Sequence, residues 1–189
     1  MGFTRAELES FRDAVVPDLI GDDCRLLFVG INPGLWTAAT GAHFARPGNR
    51  FYPALLRAGI ITRPVDPTSG LSETDTAHLL ERGVGITNLA PRATARADEL
   101  TSGELRAGPE RLIQVVARWR PRVIAVAGIT AYRTAFGRRK AVTGLQEETI
   151  GGVPVWVVPN PSGLNAHDTV DSLAEAYAAP ARAVGILTE

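Results

Sequence analysis

The chain contains 189 residues, of which 45% are hydrophobic and 21% are charged, and this composition is ordinary for a globular domain with a sizeable core. Lysine and arginine together number 20, as do aspartate and glutamate, so the formal net charge is zero. A zero net charge disfavours a nonspecific coat for nucleic acid, and a single cysteine excludes an intramolecular disulfide bond.

The sequence lacks the features of a membrane protein, a secreted protein or a metalloprotein. No apolar stretch is long enough to span a membrane, and the first residues lack the apolar centre of a signal peptide. Cys24 precedes an apolar run and is expected to pack as a small core residue rather than to react. Three scattered histidines and one cysteine form no metal-ligating pattern. We therefore expect a cytoplasmic monomer that binds no metal and needs no cofactor.

The N-terminal residues carry a helix signal. Residues 4–7, Thr-Arg-Ala-Glu, have the spacing of a capping box, in which a threonine and a glutamate three residues later satisfy free backbone N–H groups. We expect residues 1–22 to form a helical extension of one domain that covers residues 1–189.

Four apolar runs are each nearly continuous rather than alternating, which is typical of strands covered on both faces. The predicted strands are residues 25–31, 84–89, 122–127 and 153–158. Helical patterns lie between these runs, and residues 62–70 have the composition of a loop. The predicted helices are one capped by Asn49, one beginning at Ser72, and those over residues 109–119, 130–136 and 170–179. Strands that alternate with helices predict an α/β fold, a single-domain three-layer α/β/α sandwich with a mainly parallel central sheet of about four strands.

Two unusual loops follow predicted strands, where active sites form in parallel sheets. The first motif loop, residues 30–35, is Gly-Ile-Asn-Pro-Gly-Leu. Its glycines permit close backbone approach and its proline fixes the turn, so Asn32 projects from the strand end with little freedom. Asparagine, proline and glycine are also common turn formers, and alone this loop favours an ordinary turn. It lacks the Gly-Lys-Ser/Thr ending of a phosphate-binding P-loop, which counts against a nucleotide-binding domain.

The second motif loop, residues 159–165, is Pro-Asn-Pro-Ser-Gly-Leu-Asn. Most of it is turn chemistry, but Leu164 is unusual at a loop tip. An apolar tip beside small residues can enter a stack of bases, while Ser162 and Gly163 let the backbone approach phosphates and base edges. The alternative is that Leu164 folds back into the core.

Together the two loops closely resemble the two signatures of the mismatch-specific uracil/thymine-DNA glycosylase family. Further matching segments are residues 40–45, 49–51, 83–88, 104–108 and 175–177. The resemblance therefore covers nearly the whole chain. It implies a single domain of the uracil-DNA glycosylase type, whose partner is double-stranded DNA that contains a mispaired or damaged base.

The resemblance also implies which residues perform the chemistry. It places Asn32 beside the water that attacks the sugar, and because a neutral amide is a poor base, we expect Asn32 to orient that water. Faster uracil glycosylases carry an aspartate here and a histidine in the final loop, whereas this chain has Asn32 and Asn160, so we predict a slower enzyme. Asp98 lies in a polar loop where helix capping or solvation is the favoured interpretation, and it is the second catalytic candidate, as a general base.

A base pocket is implied by the same comparison. The flipped base is expected to stack on Phe44, for which core packing is the alternative. Asn88 ends a predicted strand and offers a donor and an acceptor, which suits the carbonyl and ring N–H of uracil. The backbone of Ile31 is expected to supply a further base contact. Thr37 is expected near the C5 position of the base, where its bulk hinders the methyl group of thymine, although a solvent-facing loop threonine is the alternative.

Leu164 is expected to fill the space that a flipped nucleotide leaves in the duplex. The other residues predicted to contact DNA in this loop are Asn160, Ser162, Gly163 and Asn165. Relatives often carry an arginine two residues after the wedge leucine, whereas this chain has Ala166, which puts recognition of a guanine opposite the lesion in doubt.

Several alternatives stay open. A broader glycosylase would remove hypoxanthine, xanthine or exocyclic cytosine adducts, and a noncatalytic binder of damaged DNA would use the same scaffold. Lys140 is the sole lysine and is remote in sequence from both motif loops, which favours a monofunctional enzyme without a Schiff base. The basic run of residues 138–140 is either a solvated surface or a rim for phosphate.

Overall fold

Buried apolar runs form the centre of the sheet. In the computed structural model, which describes residues 2–188, the strands are β1 (Leu26–Gly30), β2 (Val84–Asn88), β3 (Val123–Ala127), β4 (Gly144–Ile150) and β5 (Val153–Val158). Their order is β2-β1-β3-β5-β4, in which β4 is antiparallel to β5 and the other neighbours are parallel. Every residue of β1, β2 and β3 is buried, because helices cover both faces. The predicted α/β/α sandwich is confirmed, with five strands instead of about four.

The additional strand, β4, is polar. Its residues alternate in burial, as expected of an edge strand with one covered face. A two-residue turn of Gly151 and Gly152 joins it to β5, and both glycines have positive φ (56° and 82°). This is the backbone that a type I′ hairpin turn requires, and glycine adopts it without steric cost.

Helices form the two outer layers. Within residues 2–188 they are α1 (Arg5–Glu9), α2 (Leu35–Thr40), α3 (Phe51–Ala58), α4 (Glu73–Glu81), α5 (Ser102–Arg106), α6 (Gly108–Trp119), α7 (Ile129–Phe136) and α8 (Val170–Ala183). Successive residues of β1 point to opposite faces of the sheet, so Phe28 packs in one core cluster with Phe51 and Tyr177, while Val29 belongs to a second cluster that includes Tyr132.

The predicted helix starts are correct at two of the three capped positions. Thr4 and Ser72 cap α1 and α4 through their side-chain oxygens. The predicted cap at Asn49 is wrong, since Arg50 is the N-cap residue of α3. The Asn49 carboxamide instead accepts a hydrogen bond from the N–H of Phe51, the first helical residue. Helix α2 begins at Leu35, the last residue of the first motif loop, and was not predicted.

The residues after α1 differ from the predicted helical extension. Helix α1 ends at Glu9, and the segment that we call the N-terminal strap, residues 13–20, runs beside β2 and the loop after it. Leu19 and Ile86 exchange both backbone hydrogen bonds, at 3.0 and 2.7 Å. Pro17 has no N–H and disfavours helical backbone at the preceding residue, which accounts for the extended path. The strap thereby covers an edge of the sheet that would otherwise be unpaired.

Candidate active site

A cleft of about 370 Å³ opens at the carboxyl ends of the parallel strands. Gly30 of β1 pairs in register with Asn88 of β2, so the loops after these strands leave the sheet at the same level. The predicted site residues that line the cleft are Ile31, Asn32, Thr37, Phe44, Asn88, Asp98, Asn160, Ser162 and Leu164. Gly163 and Asn165, which were also predicted site residues, belong to the second motif loop but do not line the cleft.

The carboxamide of Asn32 is held by its nitrogen. Nδ2 donates to the carbonyl of Arg92 and to the hydroxyl of Thr94, both at 2.8 Å. The Thr94 hydroxyl donates its hydrogen to the Arg96 carbonyl at 2.7 Å, so it can only accept from Asn32. The nitrogen therefore points into the protein, and Oδ1 accepts no hydrogen bond from residues 2–188. That oxygen is the end of the side chain left for a ligand in the cleft.

Ion pairs hold Arg92, the residue whose backbone carbonyl accepts the hydrogen bond from Asn32. The guanidinium of Arg92 contacts Glu104 at 2.7 Å and Asp13 of the strap at 2.8 Å. Its hydrogen bonds lower the pKa of Glu104 to about 2, so this pair stays ionised at all ordinary pH values. The partner of Asn32 is thus fixed by contacts outside the cleft.

Phe44 forms an aromatic wall of the cleft. Its ring stacks on Phe51 with a centroid separation of 4.1 Å and an angle of 27° between the planes. Its backbone has a φ of 56°, in the left-handed region that residues with side chains seldom adopt. The hydroxyl of the buried Tyr52 donates to the His43 carbonyl at 3.0 Å and so holds the preceding peptide. Such strain persists only where surrounding contacts fix it, and it is frequent at functional sites.

Asn88 and His43 form a buried pair behind this wall. His43 Nε2 lies 2.9 Å from the carbonyl of Pro17, which can only accept, so Nε2 carries a hydrogen. Burial lowers the pKa of His43, which keeps the ring neutral and makes Nδ1 an acceptor. Asn88 Nδ2 lies 3.4 Å from this Nδ1 and is therefore the donor. The chain of contacts from the strap thus fixes which end of the Asn88 amide is nitrogen.

The oxygen of the same amide lies over Gly30. A Cβ atom at Gly30 would be 2.6 Å from Asn88 Oδ1 and 3.4 Å from Phe44 Cζ. Real Cβ atoms do not approach an oxygen so closely, so glycine is required here by proximity to the site and not by its own backbone angles. Gly30 therefore makes the room in which Asn88 and Phe44 meet.

Thr37 lies on α2 and is only 5% exposed, so the alternative of a solvent-facing loop residue is wrong. Gly34 of the first motif loop is the N-cap of α2, and the helix carries Thr37 to the cleft. Its expected position near C5 of a base stays a prediction.

The second motif loop projects Leu164 into solvent. This side chain is 70% exposed, so the alternative in which it folds back into the core is wrong. Gly163 packs on the turn before α3, where a Cβ would lie 2.5 Å from the carbonyl oxygen of Gly48. Arg50 ties the two segments together, because its N–H donates to Pro161 and its guanidinium donates to the Asn165 carbonyl at 2.8 Å.

Polar side chains within the second motif loop stabilise its shape. Asn160 Oδ1 accepts from the N–H of Ser162 at 2.9 Å, which is an Asx turn. Asn165 Nδ2 donates to the Asp168 carboxylate at 2.8 Å, and Asn165 Oδ1 accepts from the N–H of His167 at 3.1 Å. The Asn165 side chain is therefore engaged at both ends, and its DNA contact stays a prediction.

Charged side chains surround the mouth of the cleft. Asp98 lies on a short 3-10 turn, Ala97–Glu99, and its 68% exposed side chain pairs with Arg96 at 3.0 Å. Arg96 and the exposed Arg46 both line the cleft. The rim thus carries two cations on a protein whose formal charge is zero.

Several residues that hold the site were not predicted from the sequence. Thr94, Arg92 and the strap residue Asp18 act on residues more than 55 positions away in the chain, and no local pattern marks them. Arg50 could have been found, because it lies inside the matching segment 49–51, but its hydrogen bonds to a distant loop are visible only in three dimensions.

None of the helices within residues 2–188 is both long and apolar enough to cross a membrane. The same residues contain no cluster of three or more histidine, cysteine, aspartate or glutamate side chains arranged to hold a metal ion.

Comparison with known proteins identifies a family. The family profile described as the uracil DNA glycosylase superfamily matches residues 17–180 of this chain. Among solved structures, the fold is similar to the solution NMR structure of a candidate uracil DNA glycosylase from Methanosarcina acetivorans. The TM-score is 0.58 at 16% sequence identity, over 88% of this chain and 94% of that one, which is a likeness of fold.

Proposed function

The chain belongs to the uracil DNA glycosylase superfamily, and from that premise we propose that it hydrolyses the N-glycosidic bond of uracil in mismatched G·U double-stranded DNA, as a monofunctional enzyme. The observation that carries the proposal is the carboxamide of Asn32. Its nitrogen is fixed by Arg92 and Thr94, its oxygen accepts no hydrogen bond from residues 2–188, and the residue lines the same cleft as Phe44 and Asn88.

Base flipping comes first in the proposed mechanism. A base inside a duplex is out of reach, so the nucleotide must rotate into the cleft, at a cost of a few kcal/mol that is smaller at a mismatch. The exposed Leu164 occupies the vacated space in the duplex. Inside the cleft the base stacks on Phe44, which Phe51 supports from behind.

Asn88 reads the edge of the flipped base. Its oxygen accepts the N3–H of uracil, and the second hydrogen of its Nδ2 is available to a carbonyl of the base. As the glycosidic bond breaks, negative charge develops on the base, and a preorganised donor of this kind contributes about 3 kcal/mol to the transition state. Thr37 limits the space at C5, so we expect uracil to be released much faster than thymine.

Asn32 positions the nucleophile, which is a water molecule. Its oxygen accepts a hydrogen bond from a water and directs that water at C1′ of the sugar. The electron pair of the C1′–N1 bond leaves with the base, the water oxygen bonds to C1′, and the released proton goes to solvent. Asp98 at the rim is the second candidate to take this proton. An amide does not remove a proton, so we expect a rate below that of uracil glycosylases with an aspartate here.

The test is base release from defined duplexes. The protein is incubated with G·U, A·U, G·T and single-stranded uracil DNA, and abasic sites are cleaved with alkali. We expect release from G·U, and a loss of at least about 100-fold for Asn32→Ala. Gln114→Ala, which removes an exposed carboxamide on α6, is the matched control. Tight mismatch binding without base release, unchanged in Asn32→Ala, would identify a noncatalytic binder of damaged DNA.

A broader lesion range is the second candidate function. The cleft is open at a rim of exposed side chains, Arg46, Arg96 and Leu164, and its base reader is an amide, which presents one donor and one acceptor group. Duplexes that contain hypoxanthine, xanthine or ethenocytosine separate the two candidates, since a uracil-specific pocket leaves all three intact.

A further inference from the structure

The N-terminal strap contacts the two stretches of backbone on which the site depends. It runs antiparallel to residues 86–93, with bridges from Leu19 to Ile86 and from Val15 to Arg92. Residues 13–16 lie before the segment that matches the superfamily. We propose that the strap is a positioning element of the active site, and that Asp18 acts through Asn88 to hold the base-reading amide in place.

Asp18 connects to Asn88 by two routes that lie outside the cleft. Its carboxylate accepts a hydrogen bond from the hydroxyl of the fully buried Thr87, at 2.7 Å, and Thr87 is the residue before Asn88. The same carboxylate pairs with Arg111 of α6, whose Nη2 lies 3.0 Å and 3.1 Å from its two oxygens. Arg111 Nε in turn donates to the carbonyl of Asn88 at 3.3 Å. The end of β2 is therefore held from both its side chain and its main chain.

The residue before Asp18 acts on the amide itself. The Pro17 carbonyl sets the hydrogen on His43 Nε2, and the opposite ring nitrogen then accepts from Asn88 Nδ2. Uracil and cytosine differ in which edge atoms donate, so an amide locked in one direction distinguishes them. The strap thus fixes both the position and the polarity of the base reader.

Asp13 extends the same arrangement to the other catalytic amide. Its carboxylate contacts Arg92 at 2.8 Å, and its N–H donates to the Ala93 carbonyl at 2.9 Å. The Arg92 carbonyl is the acceptor for Asn32 Nδ2. Asn32 and Asn88 are therefore both supported by one eight-residue segment, whereas a segment that only covered the sheet edge would need none of these side-chain contacts.

This inference rests on the proposed function, and a double-mutant cycle tests it. Asp18→Asn removes the charge that holds Arg111 while keeping the size of the side chain. We expect it to lower the single-turnover rate of uracil release about tenfold. In an Asn88→Ala background the same change should alter the rate by less than about twofold, because the group that Asp18 positions is absent. Asp23→Ala, which removes an exposed aspartate paired with Arg122 at the opposite end of the sheet, is the matched control.

A general loss of stability would lower the rate equally in both backgrounds, and such additivity would overturn the inference. If Asp18→Asn does not fold, Thr87→Val breaks one of the two routes and is subjected to the same cycle. The ¹H–¹⁵N signals of the Asn88 side-chain amide supply a readout that needs no activity. They should shift in Asp18→Asn and not in Asp23→Ala, and unchanged signals would overturn the inference. If the wild type releases no uracil, the proposed function fails, while the amide signals still test the strap.

Discussion

At the residue scale, the carboxamides of two asparagines in the site are held by different partners. Asn32 is fixed by its nitrogen and offers an oxygen, while the direction of Asn88 is set by a neutral histidine. Neither amide titrates, so neither side chain has to change its protonation state to perform its proposed role. The pKa of His43 is lowered by its burial, against the opposing effects of the Pro17 hydrogen bond and of Asp18. Its ring therefore stays neutral to lower pH than a free histidine, and the polarity of Asn88 is preserved there.

Gly30 offers a direct test of this crowded arrangement. In Gly30→Ala the new Cβ would lie 2.6 Å from Asn88 Oδ1, so either the amide or β1 must shift. We expect uracil release to fall by about 10- to 100-fold, because displacement of a positioning group by about 1 Å has effects of that size. The rate is measured on a G·U duplex under single-turnover conditions.

Gly103→Ala is the control for this substitution. A Cβ at Gly103 on α5 would make one ordinary contact, 3.7 Å from Thr101 Oγ1. The thermal unfolding midpoint of both variants is recorded alongside the rate. Full activity in Gly30→Ala would show that Asn88 has freedom that the structure does not give it, and would remove its assigned role as a fixed base reader.

At the element scale, the cleft is formed by segments distant in sequence that meet at one end of the sheet. The second motif loop has no strand or helix of its own, and it is held by Arg50 and by the close approach of Gly163 to Gly48. The exposed Leu164 is therefore presented by a loop whose shape depends on a neighbouring turn. This is preorganisation, which reduces the free-energy cost of ordering the loop when DNA binds.

Removal of the Arg50 guanidinium should release this loop. It donates to the carbonyls of Asn165 and Asp168 at 2.8 and 2.6 Å, and a charged hydrogen bond contributes about 1.5–3 kcal/mol. We expect Arg50→Ala to weaken binding to a G·U duplex about tenfold and to slow base release, as measured by fluorescence anisotropy and single-turnover kinetics. Arg57→Ala breaks an exposed ion pair to Asp171 that contributes about 1 kcal/mol or less, and should leave both quantities unchanged. Equal effects of the two substitutions would contradict the assigned role of Arg50.

The sequence predicts elements well where one physical signal dominates. The strands β1, β2, β3 and β5 are continuous apolar runs, and each was located to within a residue or two. Strand β4 was missed because its polar, alternating residues depend on pairing with β5, and its Gly-Gly turn is the one local signal. Residues 1–22 were expected to be helical from a capping box that controls only α1, whereas the extended strap is determined by its pairing with residues 86–93.

The residues of the candidate site also fall into two groups, those that a local sequence signal marks and those that it does not. Asn32, Phe44 and Leu164 lie in motifs with unusual local composition, and the structure brings all three to one cleft. The groups that orient them, such as Thr94 and Asp18, are ordinary residues whose importance comes from contacts across more than 55 positions of the chain. Propensity and spacing carry no information on such pairs, since the contacts exist only after the sheet has formed.

At the scale of the whole molecule, charge determines how the protein meets DNA. A formal net charge of zero gives little long-range attraction to a polyanion, so nonspecific affinity should be low. The cations that can contact phosphates are then the few at the cleft, where Arg46 and Arg96 lie on the rim. Arg96 is paired with Asp98, which leaves Arg46 as the more available of the two. The basic run of residues 138–140 lines a separate surface hollow that shares no residue with the cleft.

The salt dependence of binding separates these two basic regions. Each phosphate contact releases a counterion and contributes roughly −0.9 to the slope of log K against log salt concentration. Arg46→Ala should reduce the magnitude of that slope by about one and weaken binding to matched and mismatched duplexes alike, because a phosphate contact carries no base specificity. Arg139→Ala removes the same charge from the distant run and should leave the slope unchanged. The measurement is duplex affinity by fluorescence anisotropy between low and moderate salt. If Arg139→Ala reduced the slope and Arg46→Ala did not, the DNA would lie on another face of the protein, away from Leu164. That result would contradict the proposed entry of the flipped base into the cleft.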